Sequence, residues 1–481
     1  MRKGALTAVE DQQAILLQLL KYGSRTVFGK DHDLLNVKTY EDYKKAVPIR
    51  DYEAIVPYID KIKAGEQNVL WKGKPIYFAK TSGTTSGVKY IPITSDSISN
   101  HIEGARNALL CYMSESGNTS FADGKMIFLS GSPELERVGG IPTGRLSGIV
   151  NHFIPRYLRG NQLPSYETNC IEDWEVKLDK IVAETMKEDM TLISGIPPWI
   201  QMYFDWLSER NEAKKIKELF PNLQVIVHGG VNFEPYKAKL LNSLAGQVDM
   251  IETFPASEGF FAFQDIVGKE GLLLNTNSGI FFEFVPAGEI FNEHPTRLSL
   301  GEVKEGENYA LIISSNAGLW AYNIGDTVRF VSINPYRVVV TGRTKHFISA
   351  FGEHVIAEEV DYAIYNAAKE FSLHIVEYTI APAIQVIQGL PYHEWFIEFE
   401  TAPADMDAFA ACVNKYLVEK NIYYQDLIDG KILQTLKIRS MKKNAFIDYM
   451  KSIGKLGGQN KVQRLSNDRK LANALASYIA E

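Results

Sequence analysis

The chain has 481 residues, with 51 Lys and Arg against 58 Asp and Glu and a formal charge of −7. Hydrophobic residues make up 45% and charged residues 23%, globular proportions that exclude wholesale disorder and collagen-like or coiled-coil architecture. The mild acidity argues against a nucleic-acid protein, which needs a basic face to displace counterions from phosphates. Cys111, Cys170 and Cys412 are too few and too scattered for a disulfide framework or a CxxC metal site. The N-terminal stretch carries acidic and polar residues where a signal peptide needs an apolar run. No apolar run approaches the ~20 residues of a membrane helix. A cytoplasmic protein that engages neither membrane nor nucleic acid is expected.

In chain order, Ile15, Leu16, Leu19 and Leu20 form one stripe and predict an amphipathic helix over residues 11–22. Strand-like segments 76–80 and 90–94 bracket a Gly/Ser/Thr-rich loop, and a helical pattern begins near Ser95. Residues 125–130 read as a strand, followed by a Gly/Pro-rich loop to Gly148 and a polar helix over 173–187. Short apolar strands at 191–194 and 223–228 precede Gly-containing turns, with helical patterns at 199–208 and 236–244. This alternation implies an α/β fold with a largely parallel sheet flanked by helices. From 271 to 340 the pattern becomes short strands with frequent turns, and an antiparallel subdomain, β-barrel-like or sheet-like, is expected. Helices at 357–369 and 404–417 with strands at 377–381 and 395–399 then predict a small, mobile α+β domain. The expected division is an N-terminal domain of residues 1–341, a hinge at 342–346 and a C-terminal domain of 347–481.

Three segments have residue types that carry chemistry. In Thr81-Ser-Gly-Thr-Thr-Ser-Gly-Val-Lys89, glycines expose backbone N–H groups, hydroxyls add donors and Lys89 adds charge, the makings of a phosphate cradle. It is not a Walker A loop: only three residues separate Gly83 from Gly87, Tyr90 follows Lys89, and the loop runs into a strand. An ordinary hairpin turn is the alternative. In Glu252-Thr-Phe-Pro-Ala-Ser-Glu258, following a strand at 248–251, Glu258 is placed to hold magnesium beside a triphosphate, or else is a solvated or helix-capping acid. In Tyr322-Asn-Ile-Gly-Asp326, an acid after a glycine turn can accept ribose hydroxyls. Turn chemistry alone would also account for it. Arg343 offers a fixed donor fork close to the expected hinge, where Lys345 reads as a surface charge.

In their order and spacing these segments resemble the loops of the adenylate-forming superfamily. More specifically the chain resembles the Gretchen Hagen (auxin-responsive) acyl-acid amido synthetase family, bacterial branch. The resemblance extends to the stretch from Thr26 to His32, to Ala350-Phe-Gly-Glu-His-Val355 and to Gly457-Gly-Gln-Asn-Lys461-Val-Gln-Arg464. It implies that Ser82, Gly83, Thr84 and Thr85 hold phosphate, that Gly229 and Gly230 lie along adenine, and that Ser257 and Glu258 end the third motif, with Glu258 the magnesium ligand. Asp326 is the implied ribose-binding acid, Arg343 the hinge-side arginine and Lys461 the lysine of the mobile domain, with Lys455 as its competitor. Phe254 stands where the family motif has Tyr, which keeps stacking and loses a hydroxyl. Asn323 stands where the motif is basic.

The implied cofactors are ATP and Mg2+. The implied activity is an ATP-dependent ligase that adenylates a small carboxylic acid and passes the acyl group to an amine, with an amino acid as the expected acceptor. An acid–thiol ligase making acyl-CoA shares the first half-reaction, and a catalytically inactive nucleotide-binding regulator is a further alternative. Residues 130–147, 194–198 and 260–263 are expected to line the acid pocket. Arg145 there either pairs with the acid or is structural. His228 and His354 adjoin the site and read as structural.

Overall fold

The predicted N-terminal stripe forms the helix Ala8–Gly23, which buries Ile15, Leu16, Leu19 and Leu20. The buried Gln12 amide on the same face donates to the Thr276 and Ile280 carbonyls, both at 2.8 Å, and its oxygen accepts from Phe282 N–H at 2.7 Å. One side chain thus satisfies three backbone groups that burial would otherwise leave unpaired. The computed structural model describes residues 7–81, 88–154, 159–171, 173–230, 233–344, 347–348, 355–383, 389–429, 433–457, 461–466 and 469–480. It divides into two compact units, residues 1–231 with 243–340, and residues 232–242 with 341–481.

The strands up to residue 343 are β1 (Tyr77–Thr81), β2 (Lys89–Ile93), β3 (Lys125–Phe128), β4 (Glu136–Val138), β5 (Ile141–Gly144), β6 (Gln162–Leu163), β7 (Met190–Gly195), β8 (Val225–Gly229), β9 (Asp249–Ala256), β10 (Gly259–Phe263), β11 (Leu272–Leu274), β12 (Ile280–Pro286), β13 (Asn308–Ser315), β14 (Tyr322–Ile333) and β15 (Tyr336–Arg343). A four-stranded sheet has the order β2-β1-β5-β4, and an eleven-stranded sheet the order β12-β13-β14-β15-β11-β10-β9-β8-β7-β3-β6. β6, β3, β7, β8 and β9 run parallel, with helices such as Trp174–Thr185 and Pro197–Arg210 between them, as the alternation predicts. The antiparallel strands β10 to β15 continue this sheet, so of the two forms expected for 271–340 the sheet-like one is found, as one half of a mixed sheet. β12 is buried along its length to Val285, which is why it reads as an apolar run without alternation. Its Glu283 pairs with buried Arg297 at 2.7 Å and accepts from the Tyr40 hydroxyl at 3.0 Å.

Two local expectations are corrected. Residues 252–256 are not a loop after a strand at 248–251: β9 continues through them, because Thr253 and Phe254 are buried against neighbours, and only Ser257 and Glu258 form the tight connection to β10. Nor does Asp326 sit in a turn between strands. It lies inside β14, in a bulge where Ala310 pairs with Thr327 and Ile312 with Asn323, so that Ile324, Gly325 and Asp326 face Leu311 alone. The hairpin β4–β5, hidden in the Gly/Pro-rich stretch 131–148, was not foreseen.

The second unit contains β16 (Phe347–Ile348), β17 (Val355–Ile356), β18 (Ile375–Ala383), β19 (Tyr392–Phe399) and β20 (Lys437–Ser440), with the sheet order β18-β19-β20. Helices Ala357–Glu370 and Met406–Lys420 cover it with Val360, Ile364, Phe409 and Val413. Among the described residues no helix is long and apolar enough to cross a membrane.

Asp265, just past β10, receives both Arg337 amino groups from β15, at 2.5 and 2.8 Å, with both side chains almost wholly buried. Removing one partner strands a buried charge, which typically costs about 3–5 kcal/mol. Arg337→Met is therefore expected to lower the unfolding free energy by that amount in urea titrations. Loss of less than about 1 kcal/mol would mean that the pair does not brace the sheet.

Candidate functional site

The first predicted segment is a hairpin. β1 and β2 pair antiparallel from Tyr77↔Ile93 to Thr81↔Lys89. Lys89 therefore stands opposite Thr81 at the mouth of the hydroxyl-rich loop, its Nζ 5.6 Å from the Tyr52 ring centroid. Ser82, Gly83, Thr84 and Thr85 lie outside the described residues.

The loop end of this hairpin is tied to the strand of Asp326 by a short strap, residues Arg50 to Tyr52. Arg50 N–H donates to the Ala321 carbonyl at 2.9 Å, and Asn323 N–H donates to the Arg50 carbonyl at 2.7 Å. Two residues on, the Tyr52 hydroxyl accepts from Tyr90 N–H in β2 at 2.8 Å. Two residues span at most ~7 Å of extended chain and the Tyr52 side chain adds only its own length, so the bulge and the loop end of the hairpin are held in one neighbourhood. Gly325 within the bulge has φ +87°, a conformation that disfavours a side chain, and its N–H donates to Asn323 Oδ1 at 2.9 Å. Asn323, which departs from the family's basic position, is thus used to shape the bulge that carries Asp326.

The strap is itself clamped by the N-terminal segment Thr26–His32. The Thr26 hydroxyl caps the helix Val27–Asp31 by accepting from Gly29 N–H. Phe28 stacks on His32 with centroids 4.1 Å apart and on Trp320 at 5.6 Å, and the Arg50 guanidinium lies 5.0 Å from the Phe28 centroid. His32 Nδ1 donates to the Phe28 carbonyl at 2.9 Å, which leaves Nε2 as the acceptor for Arg50. Burial and the Arg50 charge lower the His32 pKa, in keeping with a neutral ring. These residues were legible in the sequence only as part of a family resemblance; their role in fixing the strap was not.

The second group sits at the carboxyl ends of the parallel strands, where α/β sheets place their ligands. Register puts Gly195 beside His228 and Gly229 beside Thr253. A Cβ on Gly229 would stand 2.2 Å from the Thr253 carbonyl oxygen, so this close approach of backbones demands glycine. Gly230 follows with φ +79°. Phe254 is buried and meets Phe261 edge-on at 5.2 Å. Ser257 is buried and Glu258 half-buried, in the connection between β9 and β10. His228 is buried in β8, and its carbonyl accepts from the Thr253 hydroxyl at 3.1 Å.

The two groups meet through β5. It runs parallel to β1, with Phe78 opposite Thr143 and Ala79 opposite Gly144. The segment after it locks onto the residues after β3, where Gly131 N–H donates to Ser147 Oγ at 3.2 Å. A Cβ on Gly148 would stand 2.3 Å from the Ser132 carbonyl oxygen. The bulge of Asp326, the hairpin of Lys89 and the carboxyl edge of Gly229 are thus linked by successive contacts within one unit. Among the described residues no group of three His, Cys, Asp or Glu side chains could hold a metal alone. A magnesium ion fits at Glu258 only if phosphates supply most of its oxygens, the usual arrangement for this ion.

Arg343 ends β15 in the second unit, and Lys345 and His354 lie outside the described residues. Lys461 and Lys455 are both exposed. The segment after Lys461 runs along β18: the Thr379 hydroxyl donates to the Gln463 carbonyl at 2.6 Å and Ile380 N–H to the Arg464 carbonyl at 2.7 Å. The Arg464 side chain, 16% exposed, donates to Glu377 at 3.1 Å and to the Tyr236 hydroxyl at 2.5 Å, the latter within residues 232–242 of the same unit.

Known families fit this arrangement. The GH3 family N-terminal, central and C-terminal domain models match residues 4–166, 273–343 and 358–470. The chain belongs to the GH3 family. Among curated relatives, this GH3 chain is 23% identical to indole-3-acetic acid-amido synthetase GH3.3 of Arabidopsis thaliana, over 94% of this chain and 88% of the relative. It is 22% identical to jasmonoyl–L-amino acid synthetase JAR4 of Nicotiana attenuata, over 98% and 93%. Its fold is similar to that of a solved GH3.15 acyl acid amido synthetase, with TM-score 0.81, 16% identity and coverage of 100% and 95% of the two chains. A 2-hydroxyisobutyryl-CoA ligase in the postadenylation state is similar at TM-score 0.59, 11% identity and coverage of 98% and 90%.

Gly229→Ala is expected to force β8 and β9 apart and to lower the unfolding free energy by about 1–3 kcal/mol, the range for overpacking. An unchanged urea midpoint would show that the two strands have slack at this point.

Proposed function

We propose that this GH3 chain is an ATP-dependent ligase that adenylates a carboxylic acid and transfers the acyl group to an amine, with an amino acid as acceptor. The reading is carried by the strap Arg50–Tyr52, which holds the Asp326 bulge to the loop end of the phosphate-loop hairpin. It is supported by family membership and by relatives whose names are those of amido synthetases.

In the proposed chemistry the substrate carboxylate attacks the α-phosphorus of ATP and pyrophosphate leaves. The amine then attacks the acyl carbonyl and AMP leaves. A carboxylate is a poor acylating agent because oxide is a poor leaving group, whereas AMP is a good one. The chain therefore has to align reactants and neutralise charge, and needs no nucleophile of its own. Ser82, Gly83, Thr84, Thr85 and Lys89 are assigned to the phosphates. Gly229, Gly230 and Phe254 border the adenine, and Asp326 accepts from the ribose hydroxyls. Ser257 and Glu258 serve the metal side, where Mg2+ when bound would spread the developing charge. Phe254, buried and already in edge-on contact with Phe261, brings a preordered ring to that border.

Arg343 and Lys461 are assigned to the second unit's part in the reaction, with residues 342–346 as the hinge and the flanking stretches 1–341 and 347–481 as domains. A hinge would let one active site serve two half-reactions in turn.

Purified protein is expected to release pyrophosphate only when ATP and an acid are both present, and to form AMP and an amide in a screen of carboxylic acids against amino acids. Acyl-CoA as the sole product would favour thiol ligation instead. Asp326→Ala and Glu258→Gln should each cut acid-dependent pyrophosphate release by at least a hundredfold, the scale of losing one transition-state contact. Lys461→Ala should slow adenylation similarly while Lys455→Ala leaves it within about threefold; the opposite order would exchange the two lysines.

A further inference from the structure

Beside the carboxyl edge of β3 lie two cations, Arg145 and Lys177, neither of which has a carboxylate partner among the described residues. Arg145 directly follows β5 and leaves the sheet at the level of Lys80, two residues before the hydroxyl-rich loop begins. Its aliphatic stem rests on Gly131, where an added Cβ would come 2.6 Å from Arg145 Cδ. On the adjoining residue, Lys177 Nζ donates to the Ser130 carbonyl at 3.0 Å, and also to the Asn169 carbonyl at 2.8 Å. Lys177 is 3% exposed. Burial pushes its ammonium down to about 8, and the Arg145 charge acts in the same direction.

Arg145 is half-buried, and burial alone lowers its pKa. Among the described residues no carboxylate, carbonyl or hydroxyl accepts from its guanidinium. Other buried or half-buried arginines of this unit have partners: Arg297 has Glu283, Arg337 has Asp265, and Arg50 has His32 and the Phe28 ring. Desolvated charges in folded proteins are normally paired, so a half-buried guanidinium with no acceptor among the described residues is suited to an anion from outside the chain. Arg145 thus stands both beside the start of the hydroxyl-rich loop and beside the residues that follow the carboxyl end of β3. That is where an acid must lie to reach an α-phosphorus.

We propose that Arg145, with Lys177 behind it, binds the carboxylate of the acid substrate before adenylation. This rests on the ligase reading given above. The guanidinium's fork matches a carboxylate in two parallel hydrogen bonds, and the buried lysine adds attraction without direct contact. Gly131 is a positioning residue in this scheme, since its missing side chain leaves room for the arginine stem.

The test measures steady-state pyrophosphate release with the best-used acid from the screen, starting from indole-3-acetate and benzoate as probes, in Arg145→Gln, Arg145→Lys and Gly131→Ala. ATP affinity is titrated separately without acid, and melting temperatures check folding. In Arg145→Gln the KM for the acid should rise about ten- to a hundredfold, with kcat within a few-fold and ATP affinity unchanged. Arg145→Lys should recover part of that loss, because it keeps the charge without the fork. The primary amide of the acid should inhibit wild type at least tenfold more weakly than the acid's own KM predicts, and that difference should vanish in Arg145→Gln. An unchanged acid KM in folded Arg145→Gln and Arg145→Lys overturns the proposal while the ligase reading stands. So does a loss of ATP affinity matching the loss of acid affinity, which would assign Arg145 to the phosphates. A wild type that releases no pyrophosphate with any acid overturns the ligase reading, and this inference with it.

Discussion

Everything proposed for this GH3 chain depends on the strap of Arg50, Asp51 and Tyr52. Its two backbone bonds to Ala321 and Asn323 and its hydroxyl contact to Tyr90 join segments more than two hundred residues apart in sequence. The strap has little stiffness of its own. It gains definition from the Phe28, His32 and Trp320 rings, which hold the Arg50 side chain, and from the helix Tyr52–Lys63 that begins at its end, capped by Asp51. Preorganisation of this kind matters more than any single contact in adenylation, because the chemistry consists of alignment and charge neutralisation.

The close packing behind the strap explains residues that have no chemical role. A Cβ on Gly23 would fall 2.3 Å from the Trp320 ring, and one on Gly29 would fall 2.0 Å from the Gly23 carbonyl oxygen. Both glycines are spacers that let the first helices press against the Trp320 ring. Thr26, Phe28 and His32 likewise build a wall, and the helix cap by Thr26 fixes where that wall begins. A motif shared with a family can therefore mark scaffolding that supports a site from behind.

Much of the architecture was legible because it rests on local periodicity. The stripe at Ile15 to Leu20, the strands on either side of the hydroxyl-rich loop and the alternation that builds the parallel sheet all follow from which residues face inward. What was not legible depends on partners distant in sequence. Residues 252–256 look loop-like because of Pro255 and the polar residues at 252 and 253, yet β8 and β10 on either side hold them in a strand. Gly325-Asp326 looks like a turn because glycine followed by an acid usually makes one. Here the strand continues on both sides, and the extra residues become a bulge. Glu136–Gly144 hid a hairpin because Gly139, Gly140 and Pro142 mask the short strands around them. At the site, the glycines and acids could be read from their chemistry, whereas Arg50 and His32 are ordinary polar residues until the fold places them on Phe28.

The charge distribution brings these observations together. The chain is acidic overall, at −7, yet Lys89, Arg145 and Lys177 all border the edge assigned to ATP and the acid. Two anionic substrates must approach each other there, since a carboxylate has to close on a triphosphate. Their mutual repulsion opposes the reaction before any bond changes. Fixed, partly desolvated cations offset that repulsion more strongly than surface charges in water, because less solvent screens them.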